Sequence, residues 1–67
     1  MKNNIKINRL IKGYSQEQLA NMVGVSRQTI NALEAAKYVP STVLSLKIAR
    51  VLEKTIEELF VLEEKDL

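Results

Sequence analysis

The sequence predicts an all-α domain of five short helices, its two ends joined by a brief β pairing. Three observations carry this. Serine or threonine caps and glycine stops divide the chain into segments of helical length. Apolar residues return every three to four positions, the period of one helix face. Strand signals are confined to the ends, where Lys2 to Ile5 and Val61 to Glu63 are expected to pair.

The first helix is expected over roughly residues 4–12, ended by Gly13, which tolerates the left-handed cap geometry. Ser15 can cap a second helix, Gln16 to Val23, which stops at Gly24. Ser26 caps a third, from Arg27 to about Ala35. Pro40 and Ser41 punctuate the chain before a fourth, Thr42 to Leu52, and Thr55 can cap a last turn, Ile56 to Phe60. Leu44, Ile48, Ala49 and Leu52 form an inward stripe on the fourth helix; Leu19, Ala20 and Val23 do so on the second, and Ile30 and Leu33 on the third.

Composition narrows the function. A chain of 67 residues makes one domain and, with a limited core, buries only about 60% of its unfolded surface. It contains no cysteine and no histidine. Disulfides, thiolate metal sites and the commonest general base are therefore excluded, and neither metal, cofactor nor enzymatic activity is expected. No stretch is long and apolar enough for a membrane span, and the opening Met1-Lys2-Asn3-Asn4 does not resemble a signal peptide, so the expectation is a cytoplasmic protein.

Charge is unevenly placed. Residues 1–50 carry eight Lys or Arg against two Glu, a net of +6; residues 51–67 carry two Lys against six acids, a net of −4. This asymmetry suits a body that faces a polyanion and an acidic tail, about 61–67, although a mixed solvated surface gives the same count. The acids read as a solvated run rather than a catalytic pair.

The most specific signal lies between Gln16 and Ala36. Two helices joined by a short glycine-containing turn form the helix-turn-helix arrangement of DNA-binding proteins. The geometry asks for a small residue at Ala20, where the helices cross. Gly24 supplies positive φ at the turn, where a Cβ costs roughly 1 kcal/mol or more. Val25 plugs the corner, and Ile30 and Leu33 pin the second helix of the motif.

The pattern Gln16-x-x-Leu19-Ala20-x-x-x-Gly24-Val25-Ser26-x-x-x-Ile30-x-x-Leu33-Glu34 resembles the Cro/lambda-repressor-like family, also called the XRE family. Arg9 and Gly13 upstream, and Lys37-Tyr38, Pro40-Ser41, Ile48-Ala49 and Leu52 downstream, extend the resemblance over nearly the whole chain. It implies a five-helix lambda-repressor-like DNA-binding domain, residues 1–67, standing alone as a regulator. It also implies a phosphate contact at Gln16 and an ion pair between Arg9 and Glu34 that ties the first helix to the third.

Independently of the family, the outer face of the third helix suits the major groove. Ser26, Arg27, Gln28, Thr29, Asn31 and Ala32 lie away from Ile30 and Leu33. Arginine can bind guanine O6 and N7 with two bonds, and glutamine or asparagine can bind adenine N6 and N7 likewise. Lys37, Tyr38, Ser41 and Thr42 follow on the side expected to meet the DNA backbone, together with Gln16 at a helix N-terminus that favours anions.

Two departures from the family pattern stand out. Ala35-Ala36 replaces the usual Asn-Gly, so either the third helix runs on by a turn or Ala36 is strained. Asn8 occupies a position that relatives often fill with leucine, while Ile7, Leu10, Ile11 and Tyr14 make an apolar face that is either core or partner surface.

The resulting expectation is a sequence-specific transcriptional regulator, a repressor, binding double-stranded DNA as a homodimer on a palindromic operator. Val51, Ile56, Phe60, Val61 and Leu62 are the candidate dimer residues, although Ile56, Leu59 and Phe60 could instead close the monomer core, the preferred role for Leu59. The rival reading is a protein-interaction module, such as an antitoxin or an anti-repressor partner, working through the acidic tail or the Ile7 face.

Overall fold

A computed structural model describes all 67 residues. The order is β1 (Lys2–Asn3), α1 (Ile5–Ile11), α2 (Gln16–Val23), α3 (Arg27–Glu34), α4 (Thr42–Leu52), α5 (Ile56–Leu59), β2 (Phe60–Val61) and a closing 3-10 turn (Glu64–Asp66).

The caps work as their residue types dictate. Ser15 Oγ accepts from Gln18 N at 3.0 Å, and Gln18 Oε1 accepts from Ser15 N at 2.7 Å, a reciprocal box. Thr55 and Glu58 repeat the arrangement at α5. Ser26 and Ser41 accept from Thr29 N and Leu44 N. Each such cap stabilises its helix by about 1 kcal/mol.

The C-terminal ends of α1, α3 and α4 share one closure, in which the chain turns through the left-handed region and its next amides bond back to the last turn. Gly13 does this after α1 with φ 78°. Ala36 does it after α3 with φ 58°, its amide bonding Leu33 O and that of Lys37 bonding Ala32 O. The third helix therefore stops rather than running on, and Ala36 is the strained residue. Glu53, with φ 57°, closes α4 in the same way, a position its sequence does not advertise.

The end pairing forms, but it is shorter than the sequence expectation and its second strand starts one residue earlier. Lys2 faces Val61 and Asn3 faces Phe60 in an antiparallel ladder, so Phe60 leaves the last helix and Ile5 leaves the strand. The reason is local. Asn3 Oδ1 accepts from Ile5 N at 3.2 Å and opens α1, while Asn4 N donates to Leu59 O at 2.7 Å.

Every α-helix contributes to one core of Ile5, Leu19, Ala20, Val23, Ile30, Leu33, Ile48, Ala49, Leu52 and Leu59. Burial of each large aliphatic side chain there is worth about 1.5–3 kcal/mol. Leu44, expected inside, is half-buried against this cluster, as are Tyr14, Val25, Val51, Ile56 and Phe60. The apolar face on and after α1 divides: Tyr14 joins the core, whereas Ile7, Leu10 and Ile11 stay in solvent. No helix is long and apolar enough to cross a membrane.

Candidate nucleic-acid interface

The site is built on the crossing of α2 and α3. Ala20, 1% exposed, lets the two helices approach. The amides of Gly24 and Val25 both donate to Ala20 O, at 2.9 and 3.0 Å, and Gly24 takes φ 78° to make the turn. Ser26 then starts α3, and Ile30 and Leu33 bury its inner face completely or nearly so.

This leaves Arg27, Gln28 and Asn31 exposed on the outer face, with Thr29 and Ala32 half-buried beside them. No carboxylate stands among them. The hydroxyls of Ser26 and Thr29 lie 3.0 Å apart, and Ser26 Oγ also caps the helix, so both already have partners within the protein. The long side chains at 27, 28 and 31 are the ones free to reach outward.

Of the residues expected on the DNA backbone, Lys37, Tyr38, Ser41 and Thr42 are exposed, and Ser41 also caps α4. Gln16 is placed differently. Its Nε2 donates to Glu34 Oε1 at 3.1 Å, which draws the amide inward and leaves the N-terminus of α2 to offer backbone N–H groups.

Arg9 and Glu34 meet across α1 and α3. Arg9 Nε donates to Glu34 Oε2 at 2.7 Å and Nη2 to Oε1 at 3.2 Å, while Nη1 donates to the Tyr14 carbonyl at 2.8 Å. The two side chains are 7% and 5% exposed. Such a two-pronged pair fixes orientation as well as distance, so it holds the end of α3 against α1.

A second tie to α3 had no sequence signal. Asn3 Nδ2 donates to Leu33 O at 2.7 Å, adding a second bond to a last-turn carbonyl that already accepts from Ala36 N. Lys12 pairs with Glu53, and the N-terminal ammonium of Met1 pairs with Glu63 and Asp66, both at 3.2 Å. The Glu63 amide donates to Asp66 and holds that carboxyl below its usual range, and the Thr55 amide does the same for Glu58.

The pairing pattern separates the cations. Arg9, Lys12, Lys54 and Lys65 each have a carboxylate within ion-pair distance, whereas Lys2, Lys6, Arg27, Lys37, Lys47 and Arg50 have none. All six free cations lie in the basic body of the chain, where a polyanion could neutralise them.

A glycine-turned helix pair, pinned from behind and presenting an acid-free face of arginine, glutamine and asparagine, defines a helix-turn-helix DNA-binding domain. A model of the helix-turn-helix family matches residues 5–59, and the chain belongs to this family, in its XRE-type branch. It is 48% identical to the uncharacterised HTH-type transcriptional regulator YgzD of Bacillus subtilis, over 98% of this chain and 100% of that one. It is 46% identical to an uncharacterised HTH-type transcriptional regulator of Methanocaldococcus jannaschii, again over 98% and 100%. Among solved structures, the fold is similar to the restriction-modification controller protein C.AhdI from Aeromonas hydrophila, with TM-score 0.76, 36% identity, and 84% of this chain and 85% of that chain covered. The five helices and short two-stranded sheet agree with that likeness.

Proposed function

We propose that the chain is a transcriptional regulator that recognises a specific double-stranded DNA sequence by laying α3 in the major groove. The observation that carries this is the outer face of α3, where Arg27, Gln28 and Asn31 stand exposed with no acid among them. Arg27 and Gln28 in the first turn and Asn31 one turn on read base edges; Thr29 and Ala32 contribute the short contacts between them, and Ser26 the contact at the helix start. Lys37, Tyr38, Ser41, Thr42 and the N-terminus of α2 at Gln16 hold the sugar-phosphate backbone and set the register. Arg9 and Glu34 serve the site structurally, by fixing α3.

The unit is residues 1–67 as one domain with an acidic tail from about 61. It acts in the cytoplasm as a homodimer on a palindromic operator, represses transcription, and has no catalytic role. Val61 and Leu62, 44% and 66% exposed, centre the dimer contact, with the uncovered edges of Val51, Ile56 and Phe60 around them. Two copies double the base contacts and set half-sites about one helical turn apart.

The test is titration of duplex DNA at increasing salt. Six unpaired cations in the body predict affinity that falls steeply, in proportion to the number of phosphates neutralised. A flat response, or no binding at low salt, would overturn the reading.

A further inference from the structure

Helix α1 carries most of its apolar surface on the side away from the core. Ile5 and Arg9 point inward, while Ile7, Leu10 and Ile11 are 59%, 56% and 73% exposed. Spaced at i, i+3 and i+4, these three make one stripe. Ile7 and Leu10 also line an open groove of about 440 Å³ with Asn3, Asn4 and Lys6. The fold does not require the stripe, since Ile5, the Arg9 side chain and Tyr14 already close the core on this side. A contiguous exposed apolar patch of this kind marks an interaction surface.

The charges select the occupant. Lys6 is the one charged residue lining the groove; no carboxylate lines it, and none lies within ion-pair distance of Lys6 or of Lys2 near by in the chain. A second copy docked groove to groove would bring no carboxylate from its own groove lining to meet Lys6. The chain's own acidic tail is held elsewhere, with Glu63 and Asp66 on the Met1 ammonium. DNA presents chiefly charged backbone and polar base edges rather than a continuous apolar surface for the stripe.

We propose that this groove docks an acidic amphipathic helix of another protein, with apolar anchors on Ile7, Leu10 and Ile11 and a carboxylate on Lys6. The groove shares only Lys6 with the notch formed by Gln16, Asn31, Glu34 and Ala35 beside the recognition face. Neither Arg27 nor Gln28 lines either of the two. If the DNA-binding reading holds, the regulator engages a protein and an operator together; the docking itself does not depend on that reading.

The probe is a short synthetic amphipathic helix with leucines along one face and glutamates on the other, titrated into isotopically labelled protein and followed by NMR, with and without duplex DNA. Saturable shifts centred on Asn3, Asn4, Lys6, Ile7, Leu10 and Ile11 are expected, and a peptide with lysines in place of the glutamates should not produce them. The double variant Ile7→Ser/Leu10→Ser should weaken binding about tenfold or more, while its fold and its duplex binding stay unchanged because both side chains are exposed. Lys6→Glu should reverse the preference between the two peptides. Equal binding of both peptides, shifts located elsewhere, or indifference to the serine substitutions would overturn the proposal. So would loss of self-association in the serine variant, which would assign the face to a second copy. Failure of duplex binding with peptide binding intact would overturn only the DNA reading.

Discussion

Replacing Arg9 by methionine isolates the contact that holds α3 in place. The change removes two donors to Glu34, at 2.7 and 3.2 Å, and the donor to the Tyr14 carbonyl at 2.8 Å. The Glu34 side chain, 5% exposed, is left with one bond from Gln16 at 3.1 Å. Breaking a buried pair from one side costs about 3–5 kcal/mol, because the remaining charge has lost its compensation. At about 0.05–0.15 kcal/mol per residue, a chain of 67 residues holds only about 3–10 kcal/mol in total. Arg9→Met should therefore lower the melting temperature by more than about 12 °C, or leave the protein largely unfolded. The double variant Arg9→Met/Glu34→Leu should recover most of the loss, since apolar residues of similar size often replace a buried pair at little cost. Urea and thermal unfolding followed by circular dichroism read both. A single-variant cost below about 1 kcal/mol, the value of an exposed pair, or a double variant no better than the single, would refute this account of how α3 is fixed.

Other consequences follow from the same geometry. Ala36→Gly should stabilise the protein by about 1 kcal/mol, because glycine removes the Cβ penalty at φ 58°; a loss on urea unfolding would contradict the closure at the end of α3. Ile30→Ala should cost about 2–5 kcal/mol, as its side chain is fully buried, and a smaller loss would mean that α3 is not pinned there. The lowered Glu58 carboxyl, caused first by the Thr55 amide, contributes stability that is present above the ordinary carboxylate range and lost as pH falls through the lowered folded value. Glu58→Gln should accordingly be less stable than wild type at neutral pH, with the gap closing on acidification; a gap independent of pH would remove the carboxylate from the cap.

What could be read from the sequence was local. The motif between Gln16 and Glu34 was legible because a small residue, a positive-φ glycine and a serine cap act on their immediate neighbours. The caps at Ser15, Ser26, Ser41 and Thr55 were legible for the same reason. Ile5 falls within both the helix expectation and the strand expectation. The structure gives it to the helix, which is opened by a side chain two residues back, Asn3, rather than by the residue before it. The tie from Asn3 to Leu33 O spans thirty positions and joins an ordinary asparagine to a main-chain carbonyl, neither of which carries a pattern. Ala36 and Glu53 take left-handed backbone because the packed helices require a closure there, although their residue types disfavour it. The Ile7, Leu10 and Ile11 stripe was visible as an apolar period, but periodicity cannot say which side of a helix meets the core.

The central claim is that the outer face of α3 reads bases, and the most direct test is Gln28→Ala. Bound duplexes would be selected from a random pool with wild type and variant, alongside their melting temperatures. Gln28 is exposed on α3, away from Ile30 and Leu33. Its loss should cost about 1–3 kcal/mol on the preferred site and relax preference at one or two base pairs. Stability should change by less than about 0.5 kcal/mol, and Lys37→Ala should instead weaken all duplexes alike. An unchanged selected sequence, or a loss of binding that merely follows a loss of fold, would contradict the account.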